Sequence, residues 1–212
     1  LATVVRLLET TLIRIGNPAY ARENRSFGLT TMRDRHIHIT GTTATFQFRG
    51  KSGKHHTVRL TDRRLVRIIQ RCQDLPGYEL FQYLDADGQP QTIDSADVNA
   101  YLRAVTGQDC TAKDVRTWAG TVLTAAALWE CAPFTSQAEA QRNIVQTIAR
   151  VAKRLGNTRA VCRKCYVHPF VLEAYLDSSL LRMPRPDALL ATSTIPAELH
   201  PEEAAVLAVL KQ

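Results

Sequence analysis

The sequence predicts an α+β, mainly α fold: a helical domain that carries one small three-stranded antiparallel sheet. Three observations predict it. Apolar residues recur at helical spacing over residues 1–15 and again from Thr61 onward. Between these stretches the period shortens to two, over three runs that begin at His36 and end at Leu60. The last two runs are joined by the short turn Gly50-Lys51-Ser52-Gly53-Lys54, a connection far too short for parallel strands.

Val4, Leu7, Leu8, Leu12 and Ile15 share one side of a helix expected over Leu1 to Ile15, which Gly16, Asn17 and Pro18 end. A short polar helix around Ala19 to Asn24 follows. Ile37 and Ile39 alternate with His36 and His38; Ala44, Phe46 and Phe48 alternate with Thr43, Thr45 and Gln47; Val58 and Leu60 follow Thr57 and Arg59. Beyond Thr61, Leu65, Ile68, Ile69 and Cys72 keep helical spacing while Arg63, Arg64, Arg67 and Arg71 cover another face. Asp85 to Gln89 reads as a turn. Ser95 is the expected cap of a helix to about Val105, and Thr111 with Asp114 has the form of a capping box for a helix to about Glu130. A long helix covers roughly Gln137 to Leu155, Gly156-Asn157 breaks it, a short helix reaches Tyr166, and Pro169 starts another to about Asp177. Met183 to Pro196, with three prolines, reads as a linker before a last helix from Pro201 to Lys211.

A chain of 212 residues can bury a substantial core, as one domain or as a domain with an appendage. Its 27 Lys plus Arg against 20 Asp plus Glu give a net charge of +7, which points to a polyanionic partner, nucleic acid ahead of a membrane surface. No stretch of about 18 apolar residues and no signal-type segment is present. Five cysteines, an odd number, argue for a reducing compartment and the cytoplasm. The start at Leu1, inside an expected helix, suggests a fragment whose N-terminal part is missing.

Three patterns invite readings that their context rejects. Gly50-Lys51-Ser52 resembles the end of a phosphate-binding loop, but Thr45 stands where that motif needs a glycine and a strand follows where it needs a helix. Cys162-Arg163-Lys164-Cys165 has metal or redox spacing without a second matching pair, so two reduced thiols are expected. His36, His38, His55 and His56 are expected on solvated strand faces. No metal and no cofactor is expected, because no acidic cluster of the kind that holds Mg²⁺ is visible.

The residues that could carry chemistry are cationic or nucleophilic. Lys113 and Arg116, three apart, fall in the first turn of a helix, where cations oppose the helix dipole unless an anion sits there. Lys51 stands at a turn tip from which it could reach into a groove and donate a proton. Arg14 lies among apolar residues at a helix end. Tyr166 follows Arg159, Arg163 and Lys164, and a tyrosine among cations can serve as a nucleophile.

In order, the chain reads Ile-Arg14-Ile-Gly, Phe-Arg-Gly-Lys51-Ser-Gly-Lys, Lys113-Asp-Val-Arg116-Thr-Trp, Gly-Asn157-Thr and Lys-Cys-Tyr166. This series resembles the bacterial and poxvirus-type branch of the type IB DNA topoisomerases over roughly residues 1 to 180. The flanking text Tyr20-Ala-Arg-Glu-Asn24, Gly28-Leu-Thr-Thr and Arg116-Thr-Trp-Ala-Gly shares the resemblance, and Tyr166 lies nine residues after Asn157, as in the family.

The resemblance implies a fold like the catalytic core shared by tyrosine recombinases and these topoisomerases. It implies a catalytic domain at 1–180, with the family's N-terminal clamp domain absent and residues 181–212 as a Pro-containing linker and short helix. Tyr166 would attack a phosphodiester of double-stranded DNA and form a 3′-phosphotyrosyl bond. Arg14 and Arg116 would hold the nonbridging oxygens, Asn157 would add a hydrogen bond, Lys51 would be the general acid and Lys113 would assist it. Asn157 stands where poxvirus enzymes carry His, and an amide can donate to a phosphate but not act as acid or base. Tyr20, Arg22, Asn24 and Lys54 are the expected DNA contacts. Relaxation of supercoils without ATP or metal, by a monomer in the cytoplasmic nucleoid, is the implied activity. Two alternatives stay open: a tyrosine recombinase, disfavoured by Lys113 where those enzymes carry His, and a non-catalytic DNA-binding module.

Overall fold

A computed structural model describes residues 1–183, 185–187 and 199–211. The linker expected over 183–196 falls largely outside the described residues. The chain divides into two compact units, Leu1–Val115 and Arg116–Gln212.

In the first unit, α1 (Ala2–Thr11) buries Val4, Leu7 and Leu8. It stops four residues before the predicted end at Ile15. Leu12 takes a left-handed conformation (φ 57°), and the Thr11 hydroxyl donates back to the Leu7 carbonyl while accepting from the Ile13 amide at 3.3 Å. Arg14 therefore lies beyond the helix. Its segment is held by backbone bonds from Leu29 N to Arg14 O (2.8 Å) and from Thr30 N to Ile15 O (2.9 Å). Helix α2 (Pro18–Asn24) starts under an Asn17 cap that accepts from the amides of Ala19 and Tyr20, with Pro18 in its first turn.

The three predicted strands are β1 (Ile37–Thr40), β2 (Thr43–Arg49) and β3 (His55–Thr61), antiparallel in the order β1-β2-β3. Phe46 pairs with Ile37 on one side and Val58 on the other, so one face carries Ala44, Phe46 and Phe48 into the core. Helix α3 (Arg63–Gln73) packs on β2 through Leu65, Val66 and Ile69, capped by Asp62, whose carboxylate accepts from Leu65 N. Two short exposed strands, β4 (Gln82–Leu84) and β5 (Pro90–Thr92), flank the expected turn and were not predicted. Helix α4 (Ser95–Thr106) is capped by Asp94, not by Ser95: the Asp94 carboxylate accepts from Ala96 N and Asp97 N.

His36 departs from the expectation of a solvated strand face. It ends a 3₁₀ turn (Asp34–His36), 8% exposed, with its ring 4.4 Å from that of Phe27 and its Nδ1 accepting from Arg33 N. Burial first, and then the charges of Arg35 and Arg33, push its pKa down to about 4.

At the start of helix α5 (Ala112–Trp129) the Asp114 carboxylate accepts from the Thr111 amide and hydroxyl, which is one half of the expected capping box; the Asp114 amide donates to the Thr111 carbonyl, not to its side chain. In the second unit, α6 (Gln137–Leu155), α7 (Arg159–Cys165), α8 (Pro169–Leu176), α9 (Ser179–Arg182) and α10 (Pro201–Leu210) surround a core that includes Leu128, Ile144, Leu155, Val171, Tyr175 and Val206. Helix α10 packs on α8, and Glu203 accepts a 2.7 Å hydrogen bond from the Trp118 indole of α5. No helix of the described residues is long and apolar enough to cross a membrane.

Candidate active site

In the first unit the backbone builds a cavity of about 560 Å³ whose lining includes Arg14, Asn17, Tyr20, Asn24, Arg49 and Lys51. Each comes from a different local device. Arg14 follows the left-handed stop of α1, and Tyr20 and Asn24 project from α2. Lys51 sits on a 3₁₀ turn between β2 and β3, where Ser52 (φ 61°) and Gly53 (φ 71°) reverse the chain and Gly50 N donates to Lys54 O at 2.7 Å. The hairpin end is tied to the α2 side by Phe27 N to Arg49 O (2.8 Å) and the Ser26 hydroxyl to Gly50 O (3.1 Å). The His56 ring, stacked on Phe48 at 5.2 Å, covers Gly50 so closely that a Cβ there would stand 2.7 Å from it.

The predicted contacts Tyr20 and Asn24 thus share a cavity with Arg14 and Lys51. Arg22 and Lys54 are exposed but do not line it. Arg49 does line it and was not singled out. Its outward register on β2, opposite Phe48 and next to Gly50, is the signal that marks it.

In the second unit Arg116 is 3% exposed. Its Nη2 donates at 2.8 Å to the carbonyl of Leu155, one of the oxygens left without a helical partner at the end of α6. The guanidinium lies 5.5 Å from the centroid of the Tyr166 ring, within cation–π range. Burial raises the pKa of the neighbouring Cys162 thiol, and the Arg116 charge opposes that rise. Lys113, one turn earlier on α5, is exposed, so the two cations share a helix turn without sharing an environment.

Gly156 closes α6 in a left-handed conformation (φ 66°), and the next residue, Asn157, is buried, its amide donating to Ala152 O at 2.8 Å. Thr158 then caps α7, whose last turn delivers Tyr166, half-buried, with its amide on Cys162 O. The chain on both sides of the tyrosine is strapped along α5: before it Thr117 Oγ1 donates to Cys165 O at 3.4 Å, and after it His168 N donates to Thr121 Oγ1 at 3.1 Å. Between these two points Gly120 lies directly against the Tyr166 carbonyl, where no side chain fits.

Chemically, the second unit offers a phenol beside a buried guanidinium and a buried amide. The first offers a solvent-accessible ammonium and two guanidinium groups around a cleft. Among the described residues no group of three or more His, Cys, Asp or Glu is placed to hold a metal ion.

The family described as eukaryotic DNA topoisomerase I, catalytic core, matches residues 1–180. The chain is 31% identical over 173 residues to the DNA topoisomerase 1B of Acanthamoeba polyphaga mimivirus, an alignment covering 78% of this chain and 52% of that protein. It is 25% identical over 183 residues to the DNA topoisomerase I of Monkeypox virus and to the DNA topoisomerase 1B of Vaccinia virus (strain Copenhagen), covering 84% of this chain and 54% of each. The chain therefore spans about half the length of the curated relatives it matches. These relatives are viral and support the poxvirus-like half of the expected branch, not the bacterial half.

Proposed function

The chain belongs to the family of the eukaryotic DNA topoisomerase I catalytic core, and on that premise we propose that it is the catalytic part of a type IB DNA topoisomerase, with residues 1–180 as the catalytic domain and 181–212 as a linker and terminal helix. The observation that carries this reading is the placement of Tyr166 against the buried Arg116, with the chain on either side of the tyrosine fastened to α5.

In the proposed reaction Tyr166 Oη gives its proton to solvent water and bonds to a phosphorus of double-stranded DNA, while the bond from that phosphorus to the 5′ oxygen breaks. The 3′ end is left as a phosphotyrosyl ester, and the departing 5′ oxygen takes its proton from Lys51, assisted by Lys113. Arg14 and Arg116 neutralise the nonbridging oxygens as charge builds, and Asn157 donates to one of them. Arg116 suits this role because its Nη2 is already anchored on Leu155 O, so its guanidinium needs no ordering at the moment of reaction. Tyr20, Arg22, Asn24 and Lys54 contact the flanking duplex. The phosphodiester energy is kept in the ester, so attack by the 5′ hydroxyl reverses the step without ATP after the broken strand has swivelled. The enzyme acts as a monomer on nucleoid DNA in the cytoplasm.

The test is incubation with supercoiled plasmid in EDTA without ATP. Wild type should relax the plasmid, and Tyr166→Phe should abolish relaxation while leaving DNA binding intact. Relaxation that survives the substitution, or an adduct mapped to the 5′ side of the break, would overturn the reading.

A further inference from the structure

We propose that Arg49 is a positioning residue for the Lys51 turn: its guanidinium braces Gly53 and so holds the Lys51 ammonium at a fixed place in the cavity. Its value for the reaction rests on the proposed function, in which Lys51 gives the departing 5′ oxygen its proton. A proton donor must be held in place, because a displacement of about 1 Å costs about 100-fold in rate. Yet Lys51 stands on an exposed tip between Gly50 and Gly53, and glycine has the most backbone freedom of any residue. The Gly50 end is secured. Gly50 N donates to Lys54 O at 2.7 Å, the Ser26 hydroxyl donates to Gly50 O at 3.1 Å, and a Cβ at Gly50 would stand 2.7 Å from the His56 ring. At the Gly53 end, the bond from Gly53 N to Gly50 O (3.1 Å) is joined by Arg49.

Successive residues of a strand face opposite ways, so Phe48 and its partner His56 lie on one face of the hairpin and Arg49 on the other. The turn is therefore gripped from both faces, by His56 at Gly50 and by Arg49 at Gly53. A Cβ on Gly53 would stand 3.1 Å from Arg49 Nη2, 3.4 Å from Nε and 3.7 Å from Cζ. Cζ is the farthest of the three, so the edge that carries Nε and Nη2 faces the glycine. That edge is occupied by the turn, which favours a brace over a side-on grip on phosphate. Gly53 thus meets two demands at once, a left-handed φ of 71° and room for the guanidinium. Among the described residues no carboxylate lines the cavity, and Arg49 makes no ion pair or side-chain hydrogen bond. Contact with the turn, not charge pairing, sets where its guanidinium rests.

The experiment compares wild type with R49A, R49K, K51A and R49A/K51A. Arg49 is exposed, and its backbone ties to Phe27 and His55 do not depend on the side chain, so the variants should fold, which circular dichroism checks. Lysine keeps the charge but ends in one nitrogen and presents no planar edge to Gly53. Amide hydrogen exchange at Gly53 reads the brace without any DNA. It should rise about fivefold in R49A and R49K, while the Phe46 amide in the middle of β2 keeps its rate. In single-turnover cleavage at saturating duplex, R49A and R49K should be about 10- to 100-fold slower than wild type. A duplex with sulfur in place of the 5′ bridging oxygen releases a thiolate, which needs no proton, so R49A should cleave it at the wild-type rate. R49A/K51A should cleave ordinary duplex no more slowly than K51A, because Arg49 acts through Lys51. Unchanged Gly53 exchange in R49A would overturn the proposal. So would an R49K as fast as wild type, which would assign Arg49 a role by charge, or a sulfur substrate that R49A still cleaves slowly, which would assign it a direct hold on the phosphate. A K51A as fast as wild type, or a wild type that cleaves no duplex, with Gly53 exchange still raised in R49A, would sink the proposed function and leave the brace standing.

Discussion

Replacing Gly28 by alanine should damage the Arg14 segment more than any other single methyl group added to the first unit. A Cβ at this position would stand 2.5 Å from Ile15 O, 2.6 Å from Arg14 O and 2.6 Å from Gly16 N, all of them backbone atoms. Real Cβ contacts essentially never fall below 3.0 Å, so the 14–16 segment must withdraw by about 0.5 Å, the difference between 3.0 and 2.5 Å. No flexible side chain can absorb that shift. The two bonds that hold the segment, Leu29 N to Arg14 O at 2.8 Å and Thr30 N to Ile15 O at 2.9 Å, join the same two stretches of chain and would stretch towards the limit of useful hydrogen bonding. Backbone strain is not the cause, because Gly28 has an extended φ of −150° that alanine adopts freely. Overpacking of this kind costs about 1–3 kcal/mol, and weakening two hydrogen bonds adds about 1 kcal/mol more. Urea unfolding of G28A should therefore show a loss of about 2–4 kcal/mol. In single-turnover cleavage of a nicked duplex the rate should fall about tenfold or more, since displacements of about 1 Å at a catalytic group cost about 100-fold. An unchanged urea midpoint would show that the segment yields freely and would refute the packing account, whatever the cleavage rate.

Gly120→Ala tests the corresponding contact in the second unit. A methyl group there must push the Tyr166 carbonyl away from α5, so cleavage should fall about 100-fold and stability should drop although alanine is the better helix former; a variant as active and as stable as wild type would contradict it. His36 provides a pH test. Its folded pKa of about 4 lies below the unfolded value near 6.5, so the unfolded chain binds more protons between those values, and stability present at pH 7.5 is lost as pH falls through that window. About 2 kcal/mol should disappear between pH 7.5 and 5.0 by urea titration. The His36→Gln variant should lack that component; an identical pH profile in the variant would assign the loss to other groups.

Legibility in the sequence followed how local the cause was. The hairpin of β2 and β3 was visible because its alternation and its glycine-bounded turn lie within a few residues of each other. The end of α1 was not: apolar spacing continues to Ile15, but the 14–15 backbone pairs with Leu29 and Thr30, a tertiary fact. The cap at Ser95 was misassigned because Asp94 and Ser95 are both good caps, and only the backbone turn chooses between them. Strands β4 and β5 are three residues each and mostly exposed, so they carry no apolar alternation to detect. His36 looked like a strand residue, and its burial against Phe27 depends on a 3₁₀ turn that the period-two pattern conceals. At the candidate site the residue types were readable and their environments were not. The burial of Arg116 rests on Leu155 O, 39 positions away, while Lys113 in the same turn remains in solvent.

Helix α10 bears on where this molecule can be cut. The family match stops at residue 180, yet Glu203 reaches back to the Trp118 indole, and Ala205, Val206 and Val209 are buried. A shorter chain designed on the matched boundary would strip an apolar surface from α8 and leave a half-buried indole N–H without its carboxylate. Such a product would be stickier and softer than its parent, so a loss of activity in it would say nothing about the chemistry of Tyr166. The homologous segment and the folding segment have different ends, and deletion series on this protein should respect the second.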